Sequence, residues 1–398
     1  MSSPENERGQ RRNVALLALC QGLLLTNGVT QVAVTSLVGL KLAPDIRLAT
    51  LPATTYVLGA AAATLPAAFL MKRYGRRFGF MLGACLGILG GFVSAAAVWT
   101  QSFPLLCLGT ICAGTYNAIG QQYRFAAADA VDVSWKSKAI SLTLAGGILG
   151  GIVGPALSTV SRDLLQPTYV ATYFTLAGFA LLALLVASRL DIPPLSATQQ
   201  HAAGRPLREI ARQPAFVVAV LSAACGYGVM NLLMTATPIA MDMCRHPFAE
   251  AAFVLEWHVI GMFAPSFFTG GIIRRVGIAP VLLTGAVLML GCIGIALSGL
   301  SVMHFWWALF LLGVGWNFLY IGGTALLTET HRPEERAKVQ GGNDFVIFAV
   351  QGVTALGSGA LVTGSGWLTL NIFALPVVAV TALAIALWWR DTRGRSTP

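Results

Sequence analysis

The 398-residue sequence predicts an all-α membrane protein of twelve transmembrane helices arranged as two pseudo-symmetric six-helix bundles. Three observations carry that expectation. Hydrophobic residues make up 56% of the chain and charged ones 11%, with 43 glycines, a composition that excludes a string of soluble domains. Apolar runs of about 20 residues recur along the whole length, and each is long enough to cross a hydrocarbon core of about 30 Å as a helix. They lack the alternation of barrel strands, and backbone groups in lipid must be paired within the segment, so helices are the only candidates. Finally, the chain echoes itself at an offset of about 200 residues.

In order, spans are expected at residues 14–40, 48–71, 78–99, 103–130, 137–160, 167–188, 215–241, 249–273, 278–300, 302–328, 336–362 and 367–389. The apolar stretch that follows the basic N-terminus is too long for a cleaved signal, so the first helix is expected to be retained. Residues 1–13 and 391–398 read as tails, 14–190 and 214–390 as the two bundles. Between them, residues 191–213 read as a linker, interrupted by Pro193, Pro194, Gly204 and Pro206. The echo is visible in FLMKRYG (Phe69 to Gly75) after span two and GIIRRVG (Gly271 to Gly277) after span eight. It recurs in GTYN (Gly114 to Asn117) of span four and GWN (Gly315 to Asn317) of span ten. Two like-oriented repeats imply a cavity between them, with substrate near the midplane.

The net charge of +10 reflects topology more than a nucleic-acid partner. All but five of the 26 Lys and Arg fall in segments that one side of the membrane would hold; the exceptions are Lys41, Arg47, Arg162 and Arg245 on the other side and Arg124 within a helix. That bias puts both termini in the cytoplasm. The seven cysteines are unevenly spaced, mostly inside spans, and suggest no disulfide framework.

One stretch stands out chemically. Between Cys225 and Met262 fall Met230, Met234, Met241, Met243, Met262, His246, His258 and Cys244. Met230 with Met234, and His258 with Met262, are each four residues apart, which puts both members on one helix face. Span seven runs outward and span eight inward, so at about 1.5 Å per residue the two pairs lie at similar depth. If spans seven and eight pack side by side, one site uses all four. Thioether with imidazole suits Cu(I), and neutral ligands permit release. The competing explanation is packing, since Met fills irregular gaps in helical cores. His258 resists it better, because an ionisable residue inside a membrane is costly. Met241, Met243, Cys244 and His246 fall at the outer mouth, as copper collectors or as an ordinary loop; Cys225 and Cys244 are secondary metal or redox candidates.

Two resemblances follow from these residues. The repeated halves and the KRYGRR loop (Lys72 to Arg77) resemble the major facilitator superfamily, although Lys72 stands where that family's loop carries Asp and Ala68 where it carries Gly. The missing carboxylate puts the usual latch of that loop in question. Span five carries Gly146, Gly150 and Gly154 before Pro155, a small-residue face that lets helices approach closely. It resembles the family's antiporter motif, with Ser158 where a final Gly is common. More narrowly, Met-xxx-Met in span seven and His-xxx-Met in span eight resemble the CcoA-like, or CalT, bacterial copper importers needed to assemble cbb3-type cytochrome oxidase. That resemblance implies copper import across the bacterial inner membrane to a cytoplasmic copper acceptor. It implies Met230, Met234, His258 and Met262 as exchangeable ligands and no permanently bound cofactor.

Arg124 in span four and Asp344 in span eleven lie at similar distances from the cytoplasmic ends, and a buried unpaired charge costs several kcal/mol. They are expected to pair as an inner gate. Glu256 should point away from His258. Asn27, Gln31, Asn117, Gln121 and Asn317 either line the cavity or join helices. Rival functions are a proton-coupled drug or metabolite antiporter of the same fold and a non-transporting membrane metal sensor or assembly factor. No nucleophile with a neighbouring base points to an enzyme.

Overall fold

The structure, a computed structural model, describes residues 4–45, 48–193, 196, 198–199, 202 and 204–395; Arg47, Pro194 and the last three residues of the C-terminal tail lie outside them. Eleven stretches among these residues are helical and apolar enough to cross a membrane. The last, Pro333–Arg393, runs for 61 residues and is broken at Gly366, whose φ of 83° leaves the helical region. At about 1.5 Å per residue it is far longer than one crossing needs, so it supplies two spans and the total is twelve. The fold is the expected all-helical one.

The helices are α1 (Pro4–Leu42), α2 (Leu51–Tyr74), α3 (Arg76–Trp99), α4 (Phe103–Gly120), α5 (Tyr123–Asp129), α6 (Lys136–Ala145), α7 (Gly147–Ser161) and α8 (Val170–Ala187). They continue as α9 (Leu207–Ile210), α10 (Pro214–Met243), α11 (Phe248–Phe263), α12 (Ser266–Val276), α13 (Ile278–Ser298), α14 (Val302–Glu329) and α15 (Arg336–Arg395). Three spans are built from two helices each: α4 with α5, α6 with α7, and α11 with α12. The last junction falls at Pro265, which has no N–H to continue the ladder. The echoed loops have one geometry. Gly75 (φ 90°) and Gly277 (φ 88°) each close one helix and open the next, in a backbone region that side chains with a Cβ avoid.

The chain forms two compact units. One comprises Met1–Asp132, Leu142–Gly204 and Arg332–Phe348; the other comprises Val133–Ser141, Arg205–His331 and Ala349–Pro398. The fifth and eleventh spans therefore contribute to both, unlike bundles cut by chain order. The start of α6 belongs with α12 because the Ser141 hydroxyl donates to the Ser266 carbonyl and accepts from the Gly270 N–H at 2.9 Å.

In the first unit the small-residue face of α7 packs against α1. A Cβ on Gly150 would fall 2.5 Å from both Leu25 Cβ and the Thr26 nitrogen, so the backbones touch there. Thr30 donates to the Gly154 carbonyl at 3.0 Å, and Asn27 donates to the Leu176 carbonyl at 2.9 Å, tying α1 to both α7 and α8. Asn27 thus joins helices. In the second unit α14 is the hub, packed by α10, α11 and α13. Among the described residues it is the most deeply buried of the eleven membrane-crossing stretches.

Replacing Gly150 by Leu is expected to cost about 1–3 kcal/mol through overpacking. The melting temperature of the purified protein should fall, whereas Gly178→Leu, where a Cβ meets nothing within 4 Å, should leave it unchanged.

Candidate functional site

The site is organised by the crossing of α11 and α14. A Cβ on Gly313 would lie 2.6 Å from the His258 carbonyl oxygen and 2.9 Å from the Met262 nitrogen, so only glycine allows this approach. His258 and Met262 are consequently buried against α14. His258 Nδ1 lies 2.7 Å from the Leu309 carbonyl oxygen. A carbonyl only accepts, so Nδ1 carries the hydrogen and Nε2 is left as an acceptor; it is buried and has no hydrogen-bond partner among the described residues. Asn317 fixes the junction below. Its Nδ2 donates to the Met262 carbonyl at 2.7 Å and to Ser266 Oγ at 2.6 Å, and its Oδ1 accepts from Thr269 at 2.8 Å. Asn317 therefore braces helices.

Met230 is buried and Met234 half-buried on α10. The expected side-by-side packing of spans seven and eight is not what forms. Contact between α10 and α11 is slight, and each packs extensively on α14 instead. The reason is α14 itself, whose glycines open more than one face to close approach. A Cβ on Gly323 would fall 2.9 Å from the Ala219 carbonyl of α10, on a different turn from Gly313. The two Met-containing pairs are thus connected through α14, and their adjacency in sequence does not carry over to packing.

What joins them is aromatic, and the sequence reading missed it. Tyr227 of α10 lies edge-on to Trp316 (centroids 5.2 Å apart) and to Tyr320 (4.8 Å). Trp316 stacks on Tyr320 at 5.0 Å, and Phe263 of α11 meets Trp316 at 5.6 Å. The Trp316 indole N–H is buried without a partner among the described residues. The cluster thus has an unused donor at Trp316, with an unused acceptor at His258 on the helix next to it. The signal was available: Trp316 and Tyr320 are four apart, on one face of the helix.

The candidates at the outer mouth scatter. Met241 is fully buried and Met243 is 55% exposed, so the two do not present together. Cys244 is half-buried. His246 has both ring nitrogens engaged, Nε2 with the Leu300 carbonyl at 2.8 Å and Nδ1 with Glu250 at 3.3 Å, and is not a free ligand. Cys225 is buried, with its sulfur 3.9 Å from the Val377 carbonyl, a thiol that donates across a helix contact. Glu256 is exposed. Among the described residues no three His, Cys, Asp or Glu side chains converge as a metal would require.

Arg124 and Asp344 are brought together as a buried ion pair within the first unit. Asp344 also accepts from Gln122 at 2.6 Å and Asn343 at 3.1 Å. Gln122 in turn accepts from Arg76 at 3.0 Å, and Arg76 donates to Asp129 at 2.8 Å and to Gln340 at 2.6 Å. Arg336 reaches the same Asp129 oxygen at 3.2 Å. Asp129 at the end of α5 thus gives Arg76 of the KRYGRR loop a carboxylate partner, which sequence spacing alone did not reveal. Gln121 belongs to this end as well, with its carbonyl accepting from Arg124 at 2.5 Å.

Breaking a buried pair strands a charge and costs about 3–5 kcal/mol. Arg124→Asp or Asp344→Arg alone should lower both melting temperature and transport, and the double exchange should recover most of each. Equal damage in the double variant would show that other contacts of these residues dominate.

Residues 17–349 match the model of the Major Facilitator Superfamily. The chain is 42% identical over 380 residues to the riboflavin transporter RfnT of Brucella anthropi, covering 95% of this chain and 96% of that protein. It is 28% identical to the uncharacterized transporter YdeG of Bacillus subtilis, over 99% of this chain and 95% of that one. Among solved structures it resembles the human organic anion transporter MFSD10 with a TM-score of 0.77 at 12% identity, covering 96% and 100% of the two chains, a likeness of fold. The chain is a membrane transporter and belongs to the major facilitator superfamily.

Proposed function

We propose that the protein carries riboflavin, or a closely related flat heteroaromatic compound with a polar edge, across the membrane by alternating access. The observation that carries this reading is the 42% identity to a riboflavin transporter over nearly the full length of both chains. The chemistry of the second unit supports it. An isoalloxazine ring offers a wide π face and an edge of donors and acceptors. On this reading that face lies at the cluster of Tyr227, Phe263, Trp316 and Tyr320, whose rings are packed on one another here and part to admit it. The unused Trp316 N–H and His258 Nε2 offer one donor and one acceptor for the edge. A copper cargo has no counterpart in the names of these relatives, and the metabolite-transporter alternative is the better supported. With Lys and Arg concentrated on one side, the bacterial inner membrane with both termini in the cytoplasm is the proposed orientation.

Counterflow of labelled riboflavin in proteoliposomes tests the proposal without assuming a direction. We expect exchange in the parent protein, unaffected by copper chelators, and a roughly tenfold weaker apparent affinity in Trp316→Ala, the loss of one good stacking and hydrogen-bonding partner. Absence of exchange with riboflavin overturns the reading. Specific binding without any flux would instead favour a sensor or assembly role.

Copper import remains as a second reading on one observation, the unpartnered Nε2 of His258 with Met262 one turn along α11. Radioactive copper uptake that disappears in His258→Ala and in Met230→Ala, with the melting temperature of each variant unchanged, would establish it. Uptake unchanged in both variants removes it.

A further inference from the structure

An open pocket of about 460 Å³ lies at one end of the second unit, lined by none of the residues of the candidate site. Its wall is drawn from the start of the fifth span, the ends of α12, α14 and α15, and the start of α13. Alternating chain direction brings these five termini to the same side, the side rich in Lys and Arg. The volume is in the range of small-molecule sites.

Its chemistry is that of a membrane boundary. Arg274 lines it and forms no hydrogen bond or ion pair with any described residue. Glu329 lines it too, with Lys136 close enough to act on its charge. Two cations against one carboxylate leave the neighbourhood positive. The Ser134 and Ser137 side chains add hydroxyls, and Trp388 and Trp389 add indoles of the kind enriched at lipid headgroup depth. Arg393 stacks on the Trp389 ring with 4.1 Å to its centroid, which holds a further positive charge beside the wall. Val276, 53% exposed, gives the cavity an apolar lip.

We propose that this cavity binds the headgroup of an anionic phospholipid that carries hydroxyls, of which phosphatidylglycerol is the simplest. The phosphodiester sits against Arg274 in a charge-assisted contact. The glycerol hydroxyls donate to the Glu329 carboxylate and exchange hydrogen bonds with Ser134 and Ser137, and the indoles lie at the level of the ester groups. The net positive charge is what selects an anionic headgroup over a zwitterionic one. No bond is made or broken; the lipid is a bound partner of the transporter.

Native mass spectrometry of the full-length protein, released from neutral detergent and titrated with phosphatidylglycerol, phosphatidylethanolamine or inorganic phosphate, tests this. One phosphatidylglycerol should be retained at concentrations where phosphatidylethanolamine is not. Arg274→Gln should weaken its retention about tenfold, the loss of one charge-assisted contact. Arg274→Lys should keep most of it, and Arg162→Gln, in the loop at the opposite ends of the helices, should change nothing. Melting temperatures measured alongside show that each variant is folded. Equal retention of the two lipids, or an Arg274→Gln variant that binds like the parent, overturns the proposal. Displacement of the lipid by millimolar inorganic phosphate would assign the cavity to a free anion and likewise overturn it.

Discussion

The second unit depends on how closely its neighbours can approach α14. A helix enclosed on most of its surface has to meet several partners at once, and in a membrane there is no hydrophobic force between apolar side chains to draw them in. Close contact between backbones does that work, through dispersion over a large touching area. Gly313 admits α11 at His258 and Met262, and Gly323 admits α10 at Ala219. Once those two contacts are made, the remaining geometry follows. His258 finds the Leu309 carbonyl, Asn317 finds the α11–α12 junction, and Tyr227 and Phe263 converge on Trp316.

The first unit uses the same device in α7 and α1 and adds a different one at its polar end. There, buried charges are held by a continuous chain of hydrogen bonds from Arg336 through Asp129, Arg76 and Gln122 to Asp344 and Arg124. Such a network is worth little as net stability, because burying the ions costs about what pairing them returns. Its value is in specificity: the members fit only one arrangement of α3, α5 and the start of α15. A transporter that rocks between states needs elements with discrete alternatives, and a buried polar network of this kind has either all of its partners or too few.

The soft side chains between Cys225 and Met262 acquire a mixed meaning in three dimensions. Met241 fills the interior, Cys225 bonds a carbonyl, and His246 staples one loop to another. His258 keeps a nitrogen that is buried and has no partner among the described residues, and such an acceptor serves an organic polar edge as readily as it serves a soft metal. Spacing could identify the residue as costly and therefore purposeful. It could not choose the partner, because imidazole chemistry is common to both.

By itself the sequence determined the number and order of the spans and the repetition of the glycine-closed loop at Gly75 and Gly277. Both are set by local quantities: run length, and glycine and proline positions. It also supplied the Arg124–Asp344 pair, since two charges at one depth in a membrane have few alternatives. Tertiary structure alone decided that spans seven and eight meet through α14, that Asp129 pairs with Arg76 of the KRYGRR loop, and that four aromatic rings from three helices share one place. Those are contacts between residues far apart in the chain, set by which helix faces can approach closely. A few glycines on one helix control that approach, and their effect is felt only when the partner backbone is present.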